Sequence, residues 1–169
     1  MAWAHERTAM GLLTIVRVVA VVSAGLLAGI FLGHRAGLHY ALPQLSASSF
    51  VQLGQTMYAH NARLMPSLVF TALASSVLWV VLIRSQWRTA DFWLVATSAC
   101  GILVIVAVSR AVNLPLNKQL MTWSVASPPP NPQQLWAPWE RFNTLRGVLA
   151  TGALVLETVA LSLKAVAGR

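Results

Sequence analysis

Four stretches of this chain, at about 9–33, 65–83, 92–112 and 145–166, are long and apolar enough to leave few folds open. A helix crosses a hydrocarbon layer ~30 Å thick with roughly 20 mostly apolar residues. Hydrophobic residues make up 57% of the chain and charged residues 9%. With a mean hydropathy of +0.66, that excludes an ordinary soluble domain. Lipid offers no partner to backbone N–H and C=O groups, so only helices or a closed barrel can span it. A barrel needs alternating strands, and these runs are apolar without alternation. The expected fold is all-α, a four-helix transmembrane bundle with two longer loops on one membrane face. It forms a single domain over 1–169, with helices at about 9–33, 48–83 (the membrane part from about 65), 92–117 and 143–166.

An even number of spans puts both termini on one side. The short 84–91 connection makes helices two and three antiparallel neighbours. The longer loops, 34–47 and 118–138, share the opposite face, and the second carries the stiff run Pro128-Pro-Pro-Asn-Pro132. The net charge is +8, but the cations are scattered singly near helix ends, with no basic stripe. Membrane lipid is therefore the expected partner, and nucleic acid is not. Arg7, Arg84, Arg88, Lys164 and Arg169 gather on the terminal side. The other side holds Arg35, Arg63, Arg110, Lys118, Arg141 and Arg146, so the count ties once Arg17 joins the first group. The density of Arg84 and Arg88 in the short loop tips the expectation to an integral multi-pass protein of bacterial inner-membrane type with both termini cytoplasmic. Cys100 is the single cysteine, so no intrachain disulfide forms. The first run is too long for a signal-peptide core and contains Arg17, so it reads as a retained helix.

Helical phase orients the spans. Gly25, Gly29 and Gly33 recur every four residues, a spacing that lets membrane helices approach closely. It serves packing within the bundle or a homo-oligomer through that face. Ser46 or Ser48 can cap the second helix. Gln52, Thr56, His60 and Arg63 form one stripe on its early turns, and Pro66 is expected to kink or break it. On helix four, Asn143, Arg146, Ala150, Ala153, Glu157 and Lys164 share one face, which should look into the protein. Charges inside a membrane normally have a partner or a function. Arg17 and Glu157 lie at similar depth and are expected to form a structural ion pair.

The opposite membrane side collects more polar groups: His34, Arg35 and His39; Gln52, Thr56, His60 and Arg63; Arg110, Asn113 and Asn117; Trp136, Trp139, Arg141, Asn143 and Arg146. All four helix ends contribute, as in a bundle pocket. Trp and Arg also anchor at headgroup depth, whereas amides are poor anchors. His60 is a candidate general base. It is equally a candidate haem or metal ligand, paired with His34 or His39, or a ring bonded to a backbone carbonyl. No HxxxH or HxxE pair marks a metal site, and His34 and His39, five apart, suit no single α-helical face.

Together these residues resemble a known family. Ala111-Val-Asn-Leu-Pro-Leu-Asn117, a Pro-rich spacer and Trp139-Glu-Arg-Phe-Asn-Thr-Leu-Arg146 are similar to the anthrone oxygenase-like membrane proteins. Gly25-Leu-Leu-Ala-Gly29, Ser49-Phe-Val, His60 and Arg63-Leu-Met-Pro66 extend the likeness over nearly the whole chain. The resemblance implies four membrane helices and oxidation of anthrones to anthraquinones, with Asn113, Asn117, Trp139 and Arg146 at the family's polar positions. The chain departs from the pattern at Asn143, where relatives often carry His. The reading is an oxygenase acting with O2 on a lipophilic aromatic, anthrone-like or phenolic. His60, Asn117 and Arg146 would be catalytic, and Arg63, Asn113, Trp139 and Asn143 would bind substrate. No dedicated metal cluster is expected, and the cofactor is either none or a haem or metal through His60. Two alternatives stay open: a haem protein with His60 as axial ligand, and a non-catalytic subunit of a membrane complex.

Overall fold

The structure, a computed structural model, describes residues 2–167, with side chains over 10–163. The side chains of Arg7 and Lys164, and all of Arg169, lie outside the described residues. Among the described residues four helical spans are long and apolar enough to cross a membrane: Met10–Gln44, Ala47–Leu82, Ala90–Met121 and Pro132–Leu163. The first runs through most of α1 (Ala2–Gly33), a π-turn (His34–Leu38), α2 (His39–Ala41) and a 3₁₀ turn (Leu42–Gln44). The second is α3 (Ala47–Leu82). The third joins α4 (Ala90–Val108), a second π-turn (Ser109–Asn113) and α5 (Leu114–Met121). The fourth is α6 (Pro132–Ala167).

The helices pack in a ring: α1 against α3 and α6, and α4 against α3 and α6. Large apolar side chains such as Ile15, Val22, Phe70 and Val148 point outward, as lipid permits and water would not. The interior mixes small and large residues. Ala20, Ala24 and Ala28 form a buried stripe on α1; Ala28 clusters with Leu27, Phe31 and Ala150 and Ala153 of α6, and Ala20 with Trp79 of α3 and Ala160 of α6. Close helix approach thus rests on an alanine repeat one residue before the glycines. A side chain on Gly25 would meet Leu154, while Gly29 and Gly33 face open space.

Segments expected as loops are largely helical. Residues 34–44 continue the first span, and α6 begins at Pro132, well before 143. Hydropathy registers only the hydrocarbon-crossing part, whereas a helix continues as long as its backbone bonds and caps hold. Asn131 supplies the sharp start, in the left-handed region at φ 51, which asparagine tolerates. Pro132 follows as the first helical residue, where a missing N–H costs nothing. Ser46 caps α3, its hydroxyl accepting from the Ser49 N–H at 3.2 Å. Pro66 lies within α3 and Pro138 within α6, and neither breaks its helix. Pro115 lacks the N–H that would bond to Ala111 and crowds that carbonyl, and the chain widens into the π-turn just before it.

The expected Arg17–Glu157 ion pair is not formed. Glu157 is 0% exposed and turns to the other helices. Its Oε1 accepts from Ser76 at 2.6 Å and Ser98 at 2.8 Å. Arg17 instead lies over the Trp79 ring, 5.5 Å from its centroid, within electrostatic reach of Asp91. Two serine hydroxyls thus hold one oxygen of the Glu157 carboxyl, while its Oε2 and the Arg17 Nε have no protein hydrogen-bond partner.

Candidate functional site

At the end of the bundle away from the termini, the helices enclose a cavity of about 590 Å³. Most of its wall is apolar: Ile30 and Phe31 from α1, Met57, Met65 and Val69 from α3, Leu120 from α5, Trp136 from α6. Pro66 and Phe70 on α3 and Leu114 on α5 line the cavity and are also exposed, so it reaches the surface on the side of the second and third spans.

The polar groups cluster on one wall. Arg146 is 8% exposed. Its guanidinium donates to Ser109 Oγ at 3.0 Å and to Asn143 Oδ1 at 2.7 Å. It lies over the rings of Phe31 and Trp139, 5.1 and 5.6 Å from their centroids. No carboxylate pairs with it, and its Nε has no hydrogen-bond partner. Asn113 is 1% exposed. Its amide donates to the Trp139 carbonyl at 3.2 Å, while its Oδ1 is unmatched. The Trp139 indole N–H is unmatched too, and its ring stacks on Trp136 at 4.9 Å. Three residues that line the apolar cavity therefore carry two buried donors and one buried acceptor without protein partners. Buried polar atoms are ordinarily paired, so such an arrangement suits a ligand carrying oxygen atoms.

Both π-turns serve this wall. The second presents Ser109 to Arg146 and Asn113 to Trp139. The first, closed by the His39 N–H bonding to the His34 carbonyl, turns both imidazoles toward Glu140 on α6. His34 Nε2 lies 3.0 and 3.1 Å from the two carboxylate oxygens, and His39 Nδ1 lies 3.1 Å from Oε2. Single π-turns inside α-helices are frequent at functional sites.

The sequence-derived residues divide in two. Asn113, Asn117, Trp139, Asn143 and Arg146 all line the cavity. His60 and Arg63 do not; both are exposed, and His60 Nδ1 bonds to the Thr56 carbonyl of its own helix at 2.8 Å. The stripe Gln52, Thr56, His60, Arg63 looks outward, and α3 presents Tyr58, Asn61 and Met65 to the cavity instead. Nor are His34 and His39 turned toward His60, since both bond to Glu140. Among the described residues no group of three or more His, Cys, Asp or Glu side chains is arranged to hold a metal ion. Sequence reasoning missed Glu140, Ser109 and Gln55. Gln55 donates to the Leu120 and Trp123 carbonyls at 3.0 and 2.8 Å and ties α3 to the end of α5. The signal for Glu140 was present in a lone carboxylate beside the cationic motif.

Residues 55–156, covering the cavity walls from α3 to α6, match the sequence pattern described as anthrone oxygenase. The chain belongs to the anthrone oxygenase family. No curated protein and no solved structure matches it significantly. The matched segment of the anthrone oxygenase pattern contains Arg146, Asn113, Asn117, Trp139, Asn143 and Glu140, and omits His34 and His39.

Proposed function

We propose that this membrane oxygenase-like protein takes a planar, oxygen-bearing aromatic from the bilayer into the cavity and oxidises an activated methylene with O2. The observation that carries the reading is Arg146, a buried guanidinium with no counter-charge in the lining of an apolar cavity. An uncompensated charge in such a place is costly, and a ligand that develops negative charge on oxygen recovers that cost. Removing a proton from a methylene beside a ring ketone leaves an enolate. Arg146, the Trp139 indole N–H and Asn117 are the donors for its oxygen, preorganised as catalytic oxyanion sites require. Asn113 Oδ1 is the acceptor for a phenolic hydroxyl. In the net reaction the methylene loses two hydrogens to water and gains one oxygen atom from O2, so no further reductant is consumed. The side on which the cavity reaches the surface, by the second and third spans, gives a lipophilic substrate its way in from the membrane.

The test uses purified protein in lipid nanodiscs with 1,8-dihydroxyanthrone, following O2 uptake and quinone formation. Turnover by the native chain, falling by about 10²-fold or more in Arg146→Ala and Asn117→Ala while both variants still elute as folded protein, supports the reading. Full activity in either variant overturns it.

A further inference from the structure

The oxygenase reading needs a proton acceptor inside the cavity, and His60 lies outside it. The imidazole that lines the cavity is His34. A second depression of about 320 Å³ lies behind the same wall, on the outer surface, and is lined by His39 and Glu140. Leu42, Phe50 and Trp136 belong to both linings, so the partition is apolar except where His34, Glu140 and His39 cross it. His34 Nδ1 and His39 Nε2, the ring atoms turned from Glu140, make no hydrogen bond to protein. The chain of contacts thus has a ring nitrogen with no protein partner at each end and a carboxylate in the middle.

We propose that His34 is the base that meets the substrate, and that Glu140 and His39 connect it to water in the outer groove. The proposal rests on the oxygenase reading of the cavity. The substrate C–H bond breaks with its electron pair left on the substrate as the enolate, and the proton goes to His34 Nδ1. The new imidazolium sits against the Glu140 carboxylate, which stabilises it and accepts its Nε2 proton. Glu140 then passes that proton to His39 Nδ1, and His39 releases its Nε2 proton to water in the groove. The cluster returns to its starting charge, and the same path runs backwards when oxygen leaves as water. A substrate filling the cavity shuts out bulk water, so this path keeps His34 in proton exchange during the reaction. The other charged and titratable groups near the cluster stay off the route. Arg35 lies over the Tyr40 ring, 5.1 Å from its centroid; Arg141 lines the groove; Arg146 faces the cavity.

Proton abstraction can be read without oxygen chemistry. The native protein is incubated anaerobically with 1,8-dihydroxyanthrone in deuterated buffer, and deuterium at the methylene is followed by mass spectrometry. Native protein should accelerate exchange over background. His34→Asn should slow exchange by about 10²-fold or more, the lower range of general-base effects, and Glu140→Gln and His39→Asn should each slow it measurably, by less than the loss of the base. Free imidazole should restore His39→Asn, because the groove is open, and leave His34→Asn slow. Binding of anthraquinone, which has no methylene proton, should be unchanged in all three variants when followed by tryptophan fluorescence. Native rates of exchange in Glu140→Gln and His39→Asn overturn the relay and leave the cavity reading intact, as does failure of imidazole to restore His39→Asn. Loss of anthraquinone binding in these variants also overturns it, since the cluster would then be structural. If the native protein neither binds anthraquinone nor accelerates exchange, the cavity reading itself fails and the relay with it.

Discussion

His34 and His39 hold one carboxylate between them although five residues separate them in sequence. In an α-helix that spacing leaves two side chains about 140° apart, at 100° per residue. Here the His39 N–H reaches the His34 carbonyl, the wider π-turn cancels the offset, and both rings arrive within 3.1 Å of Glu140. A local departure from regular helix thus assembles the polar partition between the cavity and the outer groove.

Arg146 should trade stability for binding. Its guanidinium is buried with two neutral partners and no anion. Taking an ion out of water costs several kcal/mol, and here no opposite charge repays it. Arg146→Met is therefore expected to melt at or above the native temperature while anthraquinone binding is lost. A thermal melt and a fluorescence titration on the same sample check this; a sharply lower melting temperature with binding intact would refute it.

Arg17 and Glu157 should be energetically independent. Glu157→Leu takes the acceptor from the buried Ser98 hydroxyl and is expected to cost about 1–3 kcal/mol. Glu157→Gln keeps an acceptor and should cost less. In a double-mutant cycle of Arg17→Ala and Glu157→Ala, the coupling should stay within about 0.5 kcal/mol, as for residues without contact. Denaturation in detergent micelles measures it, and a coupling of several kcal/mol would mean that the two side chains do pair.

Gly147 marks a close crossing of α6 and α1 beside the cavity. A Cβ there would lie 3.2 Å from Phe31 Cβ, an atom fixed to the α1 backbone. Gly147→Val should therefore destabilise the protein by about 1–3 kcal/mol through overpacking. It should also weaken ligand binding, because Phe31 lies under the Arg146 guanidinium. Gly29→Val, which meets nothing within 4 Å, is the control and should fold like the native chain.

His60 is exposed and bonded within its own helix. His60→Ala should leave anthrone turnover within about twofold of native, well short of the 10² that loss of a general base costs. A larger loss in the O2-uptake assay would return His60 to the chemistry.

Much of this was legible in the chain. The apolar runs announce four helices, and helical phase groups Asn143, Arg146, Ala150, Ala153 and Glu157, all of which are buried. On helix four every polar residue at that phase has one way to escape lipid, so periodicity is informative. On α3 the same arithmetic gathers Gln52, Thr56, His60 and Arg63, and they look outward. The early turns of that helix lie near the membrane surface, where a polar stripe is tolerated on either side. Phase alone then cannot tell an outer face from a cavity wall.

The amino-acid sequence by itself determined the class of fold, the number of spans, and the gathering of amides, indoles and guanidinium groups at one end. Those follow from hydrophobic length and helical period, which are local properties. Only the tertiary structure decided which groups meet: Glu157 with two serines rather than Arg17, and Glu140 with His34 and His39. Such choices depend on how far each helix continues beyond its apolar stretch and on where a π-turn resets its phase. They also depend on which partner satisfies a buried polar atom at the least desolvation cost, and that is settled only when all four helices are packed.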